Sequence, residues 1–301
     1  MAPQDYVMSP SAACGPVGVV GLGLMGTAIV ERLLEQGFPV VVWNRTRSKA
    51  GPLLERGAGW SDNPLAESRR VVVSLYTTEV VEAMLDGFLE GHRQCAVLID
   101  TTTGQPGRTA ALGRRLAEQG IQYLDAPISG SSQQLRDGEA TVMVGGDAAA
   151  FASCADLWPV LGRNLFHVGP CGSAARMKLI SNLVLGLNRL ALAEGLAFAE
   201  ALAVPPSAAL EIMAGSNAYS RAMDVKGRKM VERDYSVQAR LSQHLKDVHL
   251  ILAEAAEIGL ELPLTRTHQR LLERAEAAGL GDLDNSAVLE VLRQPALPAN
   301  P

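Results

Sequence analysis

A chain of 301 residues with 48% hydrophobic content is long enough for one large or two ordinary domains with buried cores. A net charge of −5 excludes the clustered cation excess with which proteins neutralise nucleic-acid phosphates, so small-molecule partners are expected. Cys14, Cys95, Cys154 and Cys171 form no C-x-x-C pair, and His92, His167, His244, His249 and His268 have no companion ligands at metal spacing, which predicts a reduced, cytoplasmic chain without a bound metal.

Residues 6–30 carry no charge, but no Lys or Arg precedes them, Pro10 and Pro16 interrupt them, and five glycines fall between Gly15 and Gly26. That pattern predicts neither a signal nor a membrane segment, and residues 1–15 read as a frayed tail. From Pro16 onward short apolar runs alternate with stretches of helical period, the pattern of a parallel sheet covered by helices. Val17–Val20 reads as the first buried strand and Val40–Trp43 as the second. Between them, 27–36 reads as a helix with Ile29, Val30, Leu33 and Leu34 on its apolar face and Gly37 at its end. Further strands are predicted at 71–75, Val97–Asp100, Gln122–Asp125 and Thr141–Gly145, making 16–173 an α/β, doubly wound domain. Beyond Cys171 strand-like runs disappear, so 174–301 predict an all-α domain, entered through one long interdomain helix at 174–202. Its stretch 187–203 is apolar on most sides apart from Asn188, Arg189, Glu194 and Glu200, which predicts burial between domains or subunits.

The turn Gly21-Leu22-Gly23-Leu24-Met25-Gly26 follows a strand and opens a helix, the context in which G-x-G-x-x-G marks a Rossmann dinucleotide site. One glycine allows a sharp turn, one lets backbone approach a pyrophosphate, and one lets the helix pack close to the sheet. At the end of the second strand, where an Asp or Glu would accept from the adenine ribose, the chain reads Asn44-Arg45-Thr46-Arg47. Arg45 can pair with a 2′-phosphate, and Asn44 and Thr46 can donate to it, so NADPH is expected over NADH. Farther on, Lys178 and Asn182 lie at i and i+4 of the predicted long helix and project from one face.

Taken with that turn, Asp100-Thr101-Thr102-Thr103, Asp125-Ala126-Pro127-Ile128-Ser129-Gly130, Lys178-Leu179-Ile180-Ser181-Asn182 and Lys246-Asp247 resemble, in order and spacing, the β-hydroxyacid dehydrogenase family. The resemblance implies hydride transfer at the carbinol carbon of a small hydroxyacid. Lys178 would be general acid in reduction and base in oxidation, with Asn182 positioning the substrate oxygen and Lys178. It further implies a substrate carboxylate at Ser129 and the N–H groups around Gly130, with Ser131 and Ser132 available to another polar group. Thr102 and Thr103 would lie beside the nicotinamide ribose, together with Leu75 of a Leu75-Tyr76 pair that replaces Leu-Pro. Lys246 would reach the cofactor, Asp247 would serve as a structural partner, and Ala239 stands where an aromatic is common.

The continuation Ser129-Gly130-Ser131-Ser132-Gln133-Gln134 is more similar to the glyoxylate/succinic semialdehyde reductase branch than to the Ser-Gly-Gly members. A small carboxylated aldehyde or ketone is therefore the expected substrate, with a homodimer or homotetramer as the assembly. Two other readings share the fold: an imine reductase, which usually lacks the lysine, and a catalytically silent binding scaffold. Lys178 argues against both.

Overall fold

The computed structural model describes residues 15–91 and 94–293. The tail expected over 1–15 lies, except for Gly15, outside the described residues, as do Cys14 and His92. The chain divides into two compact units, Met1–Lys178 and Leu179–Pro301.

In the first unit β1 (Val17–Val20), β2 (Val40–Trp43), β3 (Gly59–Trp60), β4 (Arg70–Val73), β5 (Val97–Asp100), β6 (Gln122–Asp125), β7 (Ile128–Ser129), β8 (Thr141–Gly145) and β9 (Asn164–Gly169) form one sheet. Its order is β3-β2-β1-β4-β5-β6-β8-β7, with β9 added beside β8. Pairing is parallel from β3 to β6, and β8 runs antiparallel to both β6 and β7. Because β1 lies between β2 and β4, the order reverses there, and the carboxyl ends of these strands are where a doubly wound sheet takes its ligand.

The buried parallel strands are apolar on both faces, as helices above and below demand. Val72 and Ile99 enter one core with Val19, Ile29, Leu33, Leu124 and Trp158, while Val71, Val73 and Leu98 enter the other with Val81, Leu85, Leu112 and Leu116. This alternation is the two-residue period of a strand written into continuous valine runs.

Several boundaries differ from expectation for identifiable reasons. The first helix is Leu24–Glu35, beginning three residues before the expected 27–36, because its opening turn presents Leu24 outward and so lacks the apolar period. The strand expected at 71–75 is β4: Arg70 joins it, its buried guanidinium paired with Asp156 at 2.5 Å, and the chain leaves the sheet after Val73. β3 and β7 are two residues long and carry no periodic signal. β9 is largely exposed and pairs with β8 through an irregularity at Val144/Gly145.

The helix predicted at 174–202 is Ser173–Ala201. By length and composition it could cross a membrane. In the second unit, however, Leu190, Leu192, Ala193 and Leu196 pack into a core with Leu245, Val248 and Leu252 of Leu241–Glu257 and Leu272 and Ala275 of Pro263–Ala277. Within the single chain, residues 187–203 are buried on one side, with Phe198 and Leu202 exposed.

Charge is built into this core. Asp284 is fully buried and accepts from Lys226 Nζ through both oxygens at 2.9 Å, from the N–H groups of Gln238 and Ala239, and from Ser286. Burial opposes its ionisation, yet the Lys226 ammonium, Ser286 and the Ala239 N–H hold it below the usual carboxylate range. These bonds tie the π-helical turn Met223–Gly227 to the loop ahead of the Leu241–Glu257 helix.

Nearby, Gly186 brings the long helix against two imidazoles, where a Cβ would stand 2.6 Å from His244 Nε2 and 2.7 Å from His268 Cε1. Buried Arg189 lies 3.4 Å from His244 Nε2. Burial, and then the Arg189 charge, push the His268 pKa down from 6.5 to about 4. Between those values the unfolded chain binds a proton that the folded chain refuses. The His268 contribution is therefore complete above 6.5 and is lost as pH falls toward 4. Urea titrations across that window should show a shallower fall of stability for His268→Gln than for the wild type. Equal slopes would remove His268 from the account.

Candidate functional site

Each glycine of the turn after β1 meets a different constraint. Gly21 has φ +96, and a Cβ there would lie 2.3 Å from the Ser74 carbonyl oxygen. A Cβ on Gly26 would lie 1.8 Å from the Gly21 carbonyl oxygen, so the third glycine seats the helix on the turn. Around Gly23 nothing lies within 4 Å of a Cβ position: a side chain would fit there, but it would fill the space a ligand needs. Gly23 is the N-cap and offers no side chain, and the first internal bond runs from Thr27 N–H to its carbonyl at 2.9 Å. The N–H groups of Leu24, Met25 and Gly26 thus stand at the positive end of a 12-residue helix beside open space, an arrangement that fits a pyrophosphate.

Leu22 and Asn44, both expected at the cofactor, are bonded to each other. Leu22 N–H donates to Asn44 Oδ1 at 2.9 Å, and Asn44 Nδ2 donates to the Thr46 carbonyl at 2.9 Å. Together they form a strut between the glycine turn and the end of β2. Arg45 and Thr46 remain exposed beyond it, and the Arg47 guanidinium stacks 4.7 Å from the Trp60 ring centroid.

The threonine loop after β5 is similarly braced. Thr102 N–H donates to Asp100 Oδ1 at 2.9 Å, and Thr102 Oγ1 accepts from Leu75 N–H at 3.1 Å. Thr102 therefore fixes the Leu75 backbone, while Thr103 is half-buried. Asp100 also accepts from Tyr123 Oη at 2.5 Å; burial pushes its carboxyl up to about 6, against the pull of Thr102 and Tyr123.

Asp125, the last residue of β6, accepts from Gly172 N–H and Ala175 N–H at 2.9 Å each, at the start of the long helix. Burial raises its pKa, opposed by these backbone donors. Three residues after Asp125, the Ile128 carbonyl accepts from Lys178 Nζ at 2.8 Å. Lys178 is buried, and its ammonium thus lies beside half-buried Ser129 and exposed Gly130, whose φ of +151 favours glycine.

Ser131 was expected at the substrate, but its hydroxyl accepts from Gln134 N–H at 3.2 Å and its N–H donates to Gln134 Oε1 at 2.9 Å. This is a capping box for Ser132–Arg136, legible in Ser131-x-x-Gln134 and a structural use for Ser131.

In the second unit Asn182 Nδ2 donates to Asp247 Oδ2 at 2.9 Å, and Asp247 Oδ1 lies 3.0 Å from Lys246 Nζ. Asp247 thereby fixes the amide that follows Lys178 by one helical turn. Lys246, expected at the cofactor, is ion-paired to its own neighbour within this unit. Among the described residues no group of His, Cys, Asp and Glu could hold a metal ion.

Residues 16–169 match the family model described as the NAD binding domain of 6-phosphogluconate dehydrogenase, and 172–292 match that of NADP-dependent 3-hydroxyisobutyrate dehydrogenase. The chain is 30% identical to 2-(hydroxymethyl)glutarate dehydrogenase of Eubacterium barkeri, over 92% of this chain and 95% of the relative. It is 31% identical to glyoxylate/succinic semialdehyde reductase 1 of Arabidopsis thaliana, over 92% and 98%. A solved structure described as Psf3 in complex with NADP+ and 2-OPP superposes with TM-score 0.82 at 26% identity, covering 92% of this chain and 99% of the other.

The geometry at Gly23 separates binding from folding. Its φ of −80 suits alanine, and its Cβ position is open. Gly23→Ala should therefore melt with the wild type in the absence of ligand, yet bind the dinucleotide about tenfold more weakly, some 1.4 kcal/mol, by isothermal titration. Undiminished affinity would place the pyrophosphate elsewhere.

Proposed function

The chain belongs to the β-hydroxyacid dehydrogenase family and is an oxidoreductase using a nicotinamide cofactor; we propose that it is an NADPH-dependent reductase of small carboxylated aldehydes of the glyoxylate/succinic semialdehyde kind. The observation that carries this reading is the Lys178 ammonium, 2.8 Å from the Ile128 carbonyl and beside the Ser129-Gly130 turn. An ammonium has three donors. One goes to the Ile128 carbonyl, which holds the ammonium at the end of the Ile128-Ser129-Gly130 segment.

In this reading Ser129 and the N–H groups around Gly130 bind the substrate carboxylate and orient the carbonyl toward Lys178. A bound nicotinamide would supply hydride chemistry there. Lys178 gives its proton to the carbonyl oxygen as negative charge develops there, and in the reverse direction neutral Lys178 removes it. Asn182 follows Lys178 by one helical turn, and its amide is held by Asp247. The cofactor is held by the Leu24, Met25 and Gly26 N–H groups. Preference for NADPH rests on Arg45 and Thr46, since Asn44 is engaged in the strut, no carboxylate follows β2, and one similar structure is described with NADP+.

The assembly we propose is a homodimer or homotetramer. Val184 and Phe198 on the long helix, Leu202 just past its end and Ile212 on Pro206–Ala214 are exposed, apolar side chains of the kind a subunit interface would cover. A cytoplasmic setting is supported by Cys95 and Cys171, which remain thiols.

Steady-state rates with glyoxylate, succinic semialdehyde, tartronate semialdehyde and methylmalonate semialdehyde test the whole reading. NADPH should be preferred, and Arg45→Gln should erase most of that preference. Lys178→Ala should lower kcat by about 100-fold or more while NADPH still binds. Silence of the wild type toward every aldehyde would favour a binding scaffold instead.

A further inference from the structure

The long helix lacks a cap of its own. The residues just before Ser173 are Cys171 and Gly172, and Gly172 has φ +90 with a Cβ position 2.9 Å from the Pro106 carbonyl, so it must remain glycine. The capping acceptor comes instead from Asp125, 47 and 50 residues earlier in the chain than the Gly172 and Ala175 N–H groups it receives. That carboxylate depends on its neighbours for space. It is buried at the end of β6, and a Cβ on Gly145 would stand 2.4 Å from Asp125 Oδ1, so glycine at 145 is what leaves the oxygen its place.

The same short segment touches the helix again. Asp125 receives Ala175 N–H; three residues later Ile128 receives the side chain that lies three residues beyond Ala175, Lys178. Pro127 stands between the two contacts and restricts the backbone that spaces them. The two contacts are three residues apart along each segment, which on the helix side is about 4.5 Å of rise, so both fall within the first turns of the helix. Displacing the Asp125 contact alters the height and rotation of the first turn, and Lys178 is carried with it relative to Ser129 and Gly130.

We infer that Asp125 is a positioning residue for Lys178: with the Ile128 carbonyl it grips the start of the long helix at two points and thereby sets the place of the proton donor against the substrate turn. The inference rests on Lys178 as that donor. Asp125 touches neither cofactor nor substrate in this role. Its effect is transmitted through the helix, over the distance at which small misplacements of a catalytic group are costly.

The test uses the full chain with Asp125→Asn, which places an amide N–H against one helix N–H, and Gly145→Ala, which pushes the carboxylate without altering its charge. Each is also combined with Lys178→Ala. Both single variants should lower kcat about tenfold or more while the NADPH dissociation constant stays within about twofold of wild type. Neither should lower the residual rate of Lys178→Ala by more than about twofold, because a residue acting through Lys178 has nothing left to position. Wild-type kcat in either folded variant, or losses that multiply with that of Lys178→Ala, would overturn the clamp. Failure of both variants to fold would make Asp125 a stability element and overturn it equally. If Lys178→Ala itself retains wild-type kcat, the proton-donor reading fails first. If it is inactive while Asp125→Asn is normal, only the clamp fails.

Discussion

Everything in the first unit is organised by the pairing of β1 with neighbours on both sides. Val17 to Val20 match Val40 to Trp43 on one edge and Arg70 to Val73 on the other, all in parallel. A strand enclosed in this way cannot be followed by another strand at its own edge. The chain must leave over the top, build outward through β2 and β3, and return across β1 to continue with β4. The turn at the end of β1 is therefore the place where successive elements diverge and leave room for a ligand. Gly21 and Gly26 adapt the backbone to that crowded exit, whereas Gly23 keeps the room open.

This organisation was readable from sequence where burial on two faces writes an uninterrupted apolar run. β1, β2, β5, β6 and β8 have the residue limits expected of them. β9 escaped notice because an exposed edge strand such as Asn164–Gly169 needs no apolar run, and two-residue strands have too few positions to show a period. In the site, residue types revealed the glycine turn and the lysine helix. They could not reveal hydrogen bonds between distant segments: Leu22 with Asn44, Thr102 with Leu75, and Asp125 with the start of the long helix each join residues 22 to 50 positions apart. Ser131 is the opposite case, because its capping partner lies three residues away and was legible in the local sequence.

The second unit shows why apolar content alone described its helices incompletely. Leu190, Leu196, Leu245 and Leu272 make an ordinary helix core, but Asp284 gathers Lys226, two loop N–H groups and Ser286 within it. A buried carboxylate with that many donors specifies one arrangement of the loop before Leu241–Glu257, where an apolar contact would tolerate several. The order it imposes extends to the helix that carries Lys246 and Asp247, and so to the amide of Asn182.

The strut between Leu22 and Asn44 has an implication for descent. The position after β2 answers to two demands at once, since its side-chain oxygen accepts from the glycine turn while it adjoins Arg45 and Thr46, to which the proposed function gives the choice of cofactor. Aspartate would meet the first demand as well as asparagine does, giving up only the donor to Thr46. Under the proposed function it would reverse the second, because its negative charge would repel a 2′-phosphate there. Lineages built on this turn can thus exchange one cofactor economy for another by a change of one amide, with the architecture of the turn left standing.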